Sequence, residues 1–194
     1  LSSQDVELYI KRDDLIHPVI SGNKWRKLKY NLMAAKEANE TTLLTFGGAY
    51  SNHIHAVAGA AKEYGFKSIG IIRGAEHLPL NATLLDAQEM GLQFHYLDRT
   101  TYRQKHTAEV IKLLTEKFGG FYLIPEGGTN ELALRGAAEI VTGIEKDYDY
   151  FCLACGTAGT ATGIISGLAG EAEVIGFSVL KGDFHQQEVK TWLT

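Results

Sequence analysis

The chain has 194 residues, 45% of them hydrophobic and 22% charged, which suffices for one substantial core or two small ones. Acidic residues outnumber basic ones, 23 to 19, and no basic cluster interrupts that balance, which argues against nucleic acid or an anionic membrane as partner. No apolar run approaches the ~20 residues of a bilayer crossing, and two cysteines cannot staple a chain of this length, so a reducing, cytoplasmic setting is expected.

Val6 to Ile10 reads as a strand, followed by the polar turn Lys11–Asp14. Ser21 to Ala38 carries Trp25, Leu28, Leu32 and Ala35 at helical spacing, with Ser21 or Asn23 available as cap. Strand and helix then alternate. Strands are expected at 42–46, 67–72, 93–97, 121–124, 149–153 and 173–179. Helices are expected at 52–64, 81–90, 103–118, 132–146, 160–168 and 185–192. That alternation predicts an α/β fold with parallel sheet covered on both faces. Ligands of such folds lie beyond the carboxyl ends of the strands. Three strand-to-helix turns draw attention there: Gly47–Asn52, Glu126–Asn130 and Cys155–Thr160.

The turn Gly156–Thr157–Ala158–Gly159–Thr160 follows an apolar strand and opens a helix. Its glycines admit close approach to backbone N–H groups, and the helix start favours an anion. Gly156, Gly159 and Gly163 do not follow the dinucleotide pattern, no acidic residue ends the next strand, and no Gly-Lys-Ser/Thr is present. A small phosphate ester is one reading and a plain tight turn the other.

Lys24, Arg26 and Lys27 crowd the first turn of a helix, where the dipole disfavours cations. A bound anion, an acidic neighbour or an uncharged lysine would compensate, and an uncharged lysine is the form that reacts with aldehydes. The bland alternative is a solvated basic face. Ser51 and Asn52 stand where donors converge on a carboxylate, or serve as an ordinary cap. Cys152 and Cys155 read as core, not as a redox or zinc pair. His53 and His55 share no helix face for a metal, and Asp13–Asp14 reads as a structural turn.

Lys11–Arg12–Asp13–Asp14–Leu15, Ser21–Gly22–Asn23–Lys24–x–Arg26–Lys27, Gly47–Gly48–x–x–Ser51–Asn52–His53 and Gly156–Thr157–Ala158–Gly159–Thr160 together resemble one family. It is the 1-aminocyclopropane-1-carboxylate deaminase/D-cysteine desulfhydrase family of pyridoxal 5'-phosphate enzymes, with the tryptophan-synthase-β-like fold. The resemblance spans essentially the whole chain, and the lysine motif is its specific part.

The resemblance implies two open parallel-sheet domains: residues 1–26 and 126–194 in the large one, 27–125 in the small one. The cofactor would lie in the cleft between them. It further implies that Lys24 carries the cofactor and moves protons, that Asn52 bonds its 3'-hydroxyl, and that Gly156, Thr157, Ala158, Gly159 and Thr160 hold its phosphate. Ser51, Asn52 and His53 would face a small amino-acid substrate, with Ser51 assisting acid–base steps. Tyr50 and His55 depart from the family pattern, which has Gln and Arg there. A homodimer is implied, and a longer natural polypeptide at both ends. Competing functions are a homologue that binds the cofactor without catalysis and a phosphate-ester-binding α/β domain.

Overall fold

The computed structural model describes residues 6–179, 182 and 184–194. Its centre is a four-stranded parallel sheet of β1 (Thr42–Gly47), β2 (Lys67–Arg73), β3 (Leu92–Leu97) and β4 (Tyr122–Ile124), in the order β3-β2-β1-β4. β1 pairs on both sides, with Thr45 opposite Gly70 of β2 and Ile124 of β4. A second, two-stranded parallel sheet joins β5 (Tyr150–Cys155) to β6 (Glu173–Ser178).

The pleat of β1 explains how the sheet is covered. Leu43 faces a core built with Leu28, Leu32 and Ala35 of α1 (Asn23–Glu37) and with Ala56, Val57 and Ala60 of α2 (Asn52–Tyr64). Leu44 and Phe46 face the other way, toward Val110 and Leu114 of α5 (Ala108–Phe118). Between these, α3 (Ala82–Glu89) packs Leu84 and Ala87 against Ile72 and Leu92. Six residues of β1 and β2 facing both layers are apolar, as expected of strands buried on both faces.

Small residues bring the remaining helices close. A side chain on Gly136 of α6 (Glu131–Ala138) would fall 2.0 Å from the carbonyl oxygen of Arg26, so α1 and α6 cross at backbone contact. Gly163 and Gly167 of α7 (Gly159–Leu168) lie one turn apart and meet Ala137 and Ala138 in the same manner. This stack places the start of α7 beside the start of α1. A last helix, α8 (Phe184–Leu193), follows β6.

Several expected elements differ. Val6–Ile10 is not a strand: no described strand pairs with it, and Val6, Leu8, Tyr9 and Ile10 are exposed. It is tied instead through Glu7 to Lys146 and through Tyr9 to the ring of Tyr148. The expected helix 103–118 is two, α4 (Arg99–Arg103) and α5, because Asp98 caps the first and Thr107 the second. The helix expected to 146 stops at Ala138, where Glu139 turns its carboxylate to Lys29 and Tyr30. Neither Ser21 nor Asn23 caps α1. Its cap is Gly22 at φ 61°, which leaves the Asn23 side chain free to reach elsewhere. Cys152 is exposed, against expectation, because alternate residues of β5 face outward, while Cys155 is buried.

Candidate functional site

The four-stranded sheet reverses strand order between β1 and β4, and this is the switch point at which open parallel sheets form their ligand crevice. Thr45 spans it. Its Oγ1 donates to the carbonyl of Ile124 at 2.8 Å and lies 2.8 Å from His53 Nε2. With the threonine proton committed, His53 must donate from Nε2, so Nδ1 keeps its lone pair. That Nδ1 has no hydrogen-bond partner among the described residues, and His53 is 2% exposed. Burial, then the charges of Lys24 and Lys27, hold its pKa well below the ordinary imidazole value. His53 is therefore a neutral group behind the turn, its ring directed at Thr45.

Ahead of it, Gly47–Ser51 leaves the sheet. Ser51 caps α2, accepting from Ile54 N at 3.3 Å, and a side chain on Gly47 would collide with Ser51 Oγ and Ile54. Asn52 and Tyr50 are exposed on the same turn. His55 lies 3.7 Å from Asp86, away from Ser51's cap contact.

The start of α1 meets the glycine turn across 137 residues of chain: Asn23 Nδ2 donates to Thr160 Oγ1 at 2.7 Å. A solvated basic face, one of the readings left open for Lys27, does not hold, because Lys27 is fully buried. Its Nζ donates to the carbonyl of Gly127 at 2.7 Å and to Thr129 Oγ1 at 3.0 Å. Thr129 Oγ1 in turn donates to Thr157 Oγ1 at 3.2 Å. A side chain on Gly159 would come within 3.0 Å of Lys27 Nζ and closer still to Thr129. Lys27, Thr129 and the 156–160 turn thus form one cluster.

The cations of the α1 start divide. Arg26 pairs with Asp13 at 3.2 Å, the acidic neighbour that the sequence left open. Lys24 and Lys27 have no carboxylate within 4.0 Å among the described residues. Burial lowers the pKa of Lys24. Burial, then the charge of Lys24, brings Lys27 to about 7, with Glu188 of α8 opposing. Glu188 also accepts from Ala158 N at 3.3 Å, so a carboxylate oxygen already rests on the glycine turn.

Half-buried Lys24 and fully buried Lys27 thus stand near the backbone N–H groups and threonine hydroxyls of the 156–160 turn. This donor set fits a group that brings both an aldehyde for an amine and a phosphate for the turn. Gly127 and Thr129 were missed because the Glu126–Asn130 turn was marked by position alone, and the burial of Lys27 in α1 because it depends on them. The signal was there in the pair Gly127–Gly128, both at positive φ, followed by Thr129. Among the described residues no group of His, Cys, Asp and Glu could hold a metal ion, and no helix is long and apolar enough to cross a membrane.

Comparison with known proteins agrees with this chemistry. A Thermotoga maritima protein provisionally named 1-aminocyclopropane-1-carboxylate deaminase is 36% identical over 169 residues, covering 84% of this chain and 54% of that one. The Arabidopsis thaliana bifunctional D-cysteine desulfhydrase/1-aminocyclopropane-1-carboxylate deaminase, mitochondrial, is 33% identical, covering 89% of this chain and 48% of that one. The crystal structure of an ACC deaminase homologue superposes with a TM-score of 0.82 at 30% identity, over 95% of this chain and 59% of that one. The chain thus spans about half the length of the curated relatives it matches. Residues 2–189 match the family described as pyridoxal-phosphate dependent enzymes, and the chain belongs to that family.

Proposed function

We propose that the protein is a lyase or deaminase that uses pyridoxal 5'-phosphate to convert a small amino acid into ammonia and a 2-keto acid. Two routes fit: β-elimination from a D-cysteine-like substrate, or ring opening of 1-aminocyclopropane-1-carboxylate. The observation that carries the reading is fully buried Lys27 and half-buried Lys24, neither with a carboxylate within 4.0 Å among the described residues, beside the glycine turn. When bound, the pyridoxal ring supplies an electron sink for the substrate Cα.

The roles of the chain follow from its own groups. Lys24, whose burial favours the neutral amine, would hold the cofactor through its Nζ and would take and return a proton at the substrate Cα. Gly156, Thr157, Ala158, Gly159 and Thr160 hold the phosphate with backbone N–H groups and hydroxyls. Lys27 sits behind them as its buried counter-charge. Glu188 must withdraw from Ala158 N for that to happen. Asn52 bonds the ring hydroxyl. Ser51, with neighbouring backbone donors, orients the substrate carboxylate, and His53 fixes that turn from beneath through Thr45. In the same reading β1–β4 belong to a small domain over 27–125 and β5–β6 to a large one. The working form is a cytoplasmic homodimer.

The test uses the full-length natural protein. It should take up pyridoxal phosphate with an absorbance band near roughly 410–430 nm that borohydride removes, and release sulfide and pyruvate from D-cysteine. Lys24→Ala should lose the band and lower turnover by about 10³-fold or more. A colourless protein that takes up no pyridoxal phosphate would sink the reading.

A further inference from the structure

A second concentration of positive charge stands on the same rim of the sheet. Arg73 ends β2, Arg99 and Arg103 lie on α4 just beyond β3, and Lys105 follows them. With Tyr102 and Glu126 they line a cavity of ≈ 360 Å³. Its floor is rigid. Tyr102 is buried against Phe46 at 5.9 Å between centroids, and its hydroxyl donates to Glu126 Oε1 at 2.9 Å. The other carboxylate oxygen pairs with Lys105 at 3.2 Å. Glu126 is thereby committed. Asp98, next to Arg99, is committed too, accepting from Thr100 N, Thr101 N and Thr101 Oγ1.

The three arginines consequently face the cavity with no carboxylate within 4.0 Å among the described residues. Like charges gathered around a concavity repel, and in a chain of net charge −4 their clustering is not a matter of composition. Guanidinium is charged at every working pH and presents a fork matched to oxyanions. The cavity also touches the substrate turn: Arg73 Nη2 is 3.7 Å from where a side chain on Gly48 would begin, and Gly48 O accepts from Ser51 N.

We propose that Arg73, Arg99, Arg103 and Lys105 form a binding site for a doubly charged, phosphate-type oxyanion, separate from the glycine turn. The oxyanion is a free effector bound beside the Ser51 turn, and the site does not rest on the proposed function.

The experiment titrates the full-length protein, loaded with pyridoxal phosphate so that the glycine turn is filled, with inorganic phosphate at low ionic strength by calorimetry. Saturable binding is expected, weakened roughly 10-fold or more in Arg99→Gln/Arg103→Gln. Lys62→Gln/Lys112→Gln, which removes equal charge from exposed positions elsewhere, should titrate like the parent. No saturable heat, an unaltered arginine double variant, or equal weakening in the lysine control overturns the proposal. Phosphate is expected to bind alongside saturating D-cysteine; exclusion of phosphate by D-cysteine, whose one carboxylate belongs to the Ser51 turn, would overturn the separate site. Should the protein take up no cofactor, the same titration of unloaded protein still compares the variants, so the two readings fail separately.

Discussion

Lys27 is fully buried and Lys24 half-buried, with no carboxylate within 4.0 Å among the described residues, whereas Arg73, Arg99 and Arg103 stand at the surface around a polar cavity. Both groups occupy the carboxyl rim of one parallel sheet, and both lack an anionic partner. The difference is in what each can do about it. A buried ammonium can shed its proton and become a nucleophile or base; a guanidinium cannot, and must be neutralised from outside. Lys24 suits bond-making, Lys27 answers a charge brought into the interior, and the arginine group suits recognition at the surface.

The largest effect is expected where the lysine logic is removed. Lys27→Met should weaken pyridoxal phosphate binding by roughly 10- to 100-fold, measured by equilibrium absorbance titration. It should also change the pH dependence of the cofactor-free protein. The Lys27 pKa falls from 10.5 to about 7 on folding, through burial first and the Lys24 charge second. Between those values the unfolded chain carries a proton that the folded chain lacks, so stability rises with pH across the window and is flat below about 7. Denaturant melts from pH 6 to 10 should show a shallower rise in the methionine variant. An unchanged profile would place the Lys27 ammonium in a solvent-like setting and break the contrast with the arginines.

An intermediate effect is expected at the crevice between them. Thr45→Val leaves His53 Nε2 and the carbonyl of Ile124 without their shared hydroxyl. The cost should be about 1–3 kcal/mol in urea melts, with looser substrate binding because the Ser51 turn rests on His53. A neutral result would detach that turn from the switch point. The smallest effect is expected at the surface, where Arg103→Lys keeps the charge but loses the fork. Phosphate affinity should fall by only about 2- to 5-fold, well short of the glutamine double variant. Equal losses would mean that shape, not charge, governs the cavity.

What could be read in the sequence divides along similar lines. Lys24, the Ser51–Asn52 turn and the 156–160 turn are each local: one strand end, one helix start, and residue types whose chemistry is unusual there. The parallel α/β alternation was equally legible, since each buried strand is a short apolar run. Lys27 was not, because burial of a lysine depends on Gly127 and Thr129, about a hundred residues away. The arginine cavity draws on three separated segments, none notable alone. Val6–Ile10 misled for the opposite reason: its apolar pattern suits a strand, but pairing is a property of the neighbour, and no described strand lies beside it.

The Asn23–Thr160 hydrogen bond has a consequence for how the site comes into being. It closes a loop of 137 residues, and such closure is slow relative to the helix and hairpin-scale events within it. The β3-β2-β1 part of the sheet, built from consecutive segments, can form well before the glycine turn arrives at the start of α1. Competence to hold the cofactor is then a late event in folding, and a coloured protein is one whose distant ends have already met.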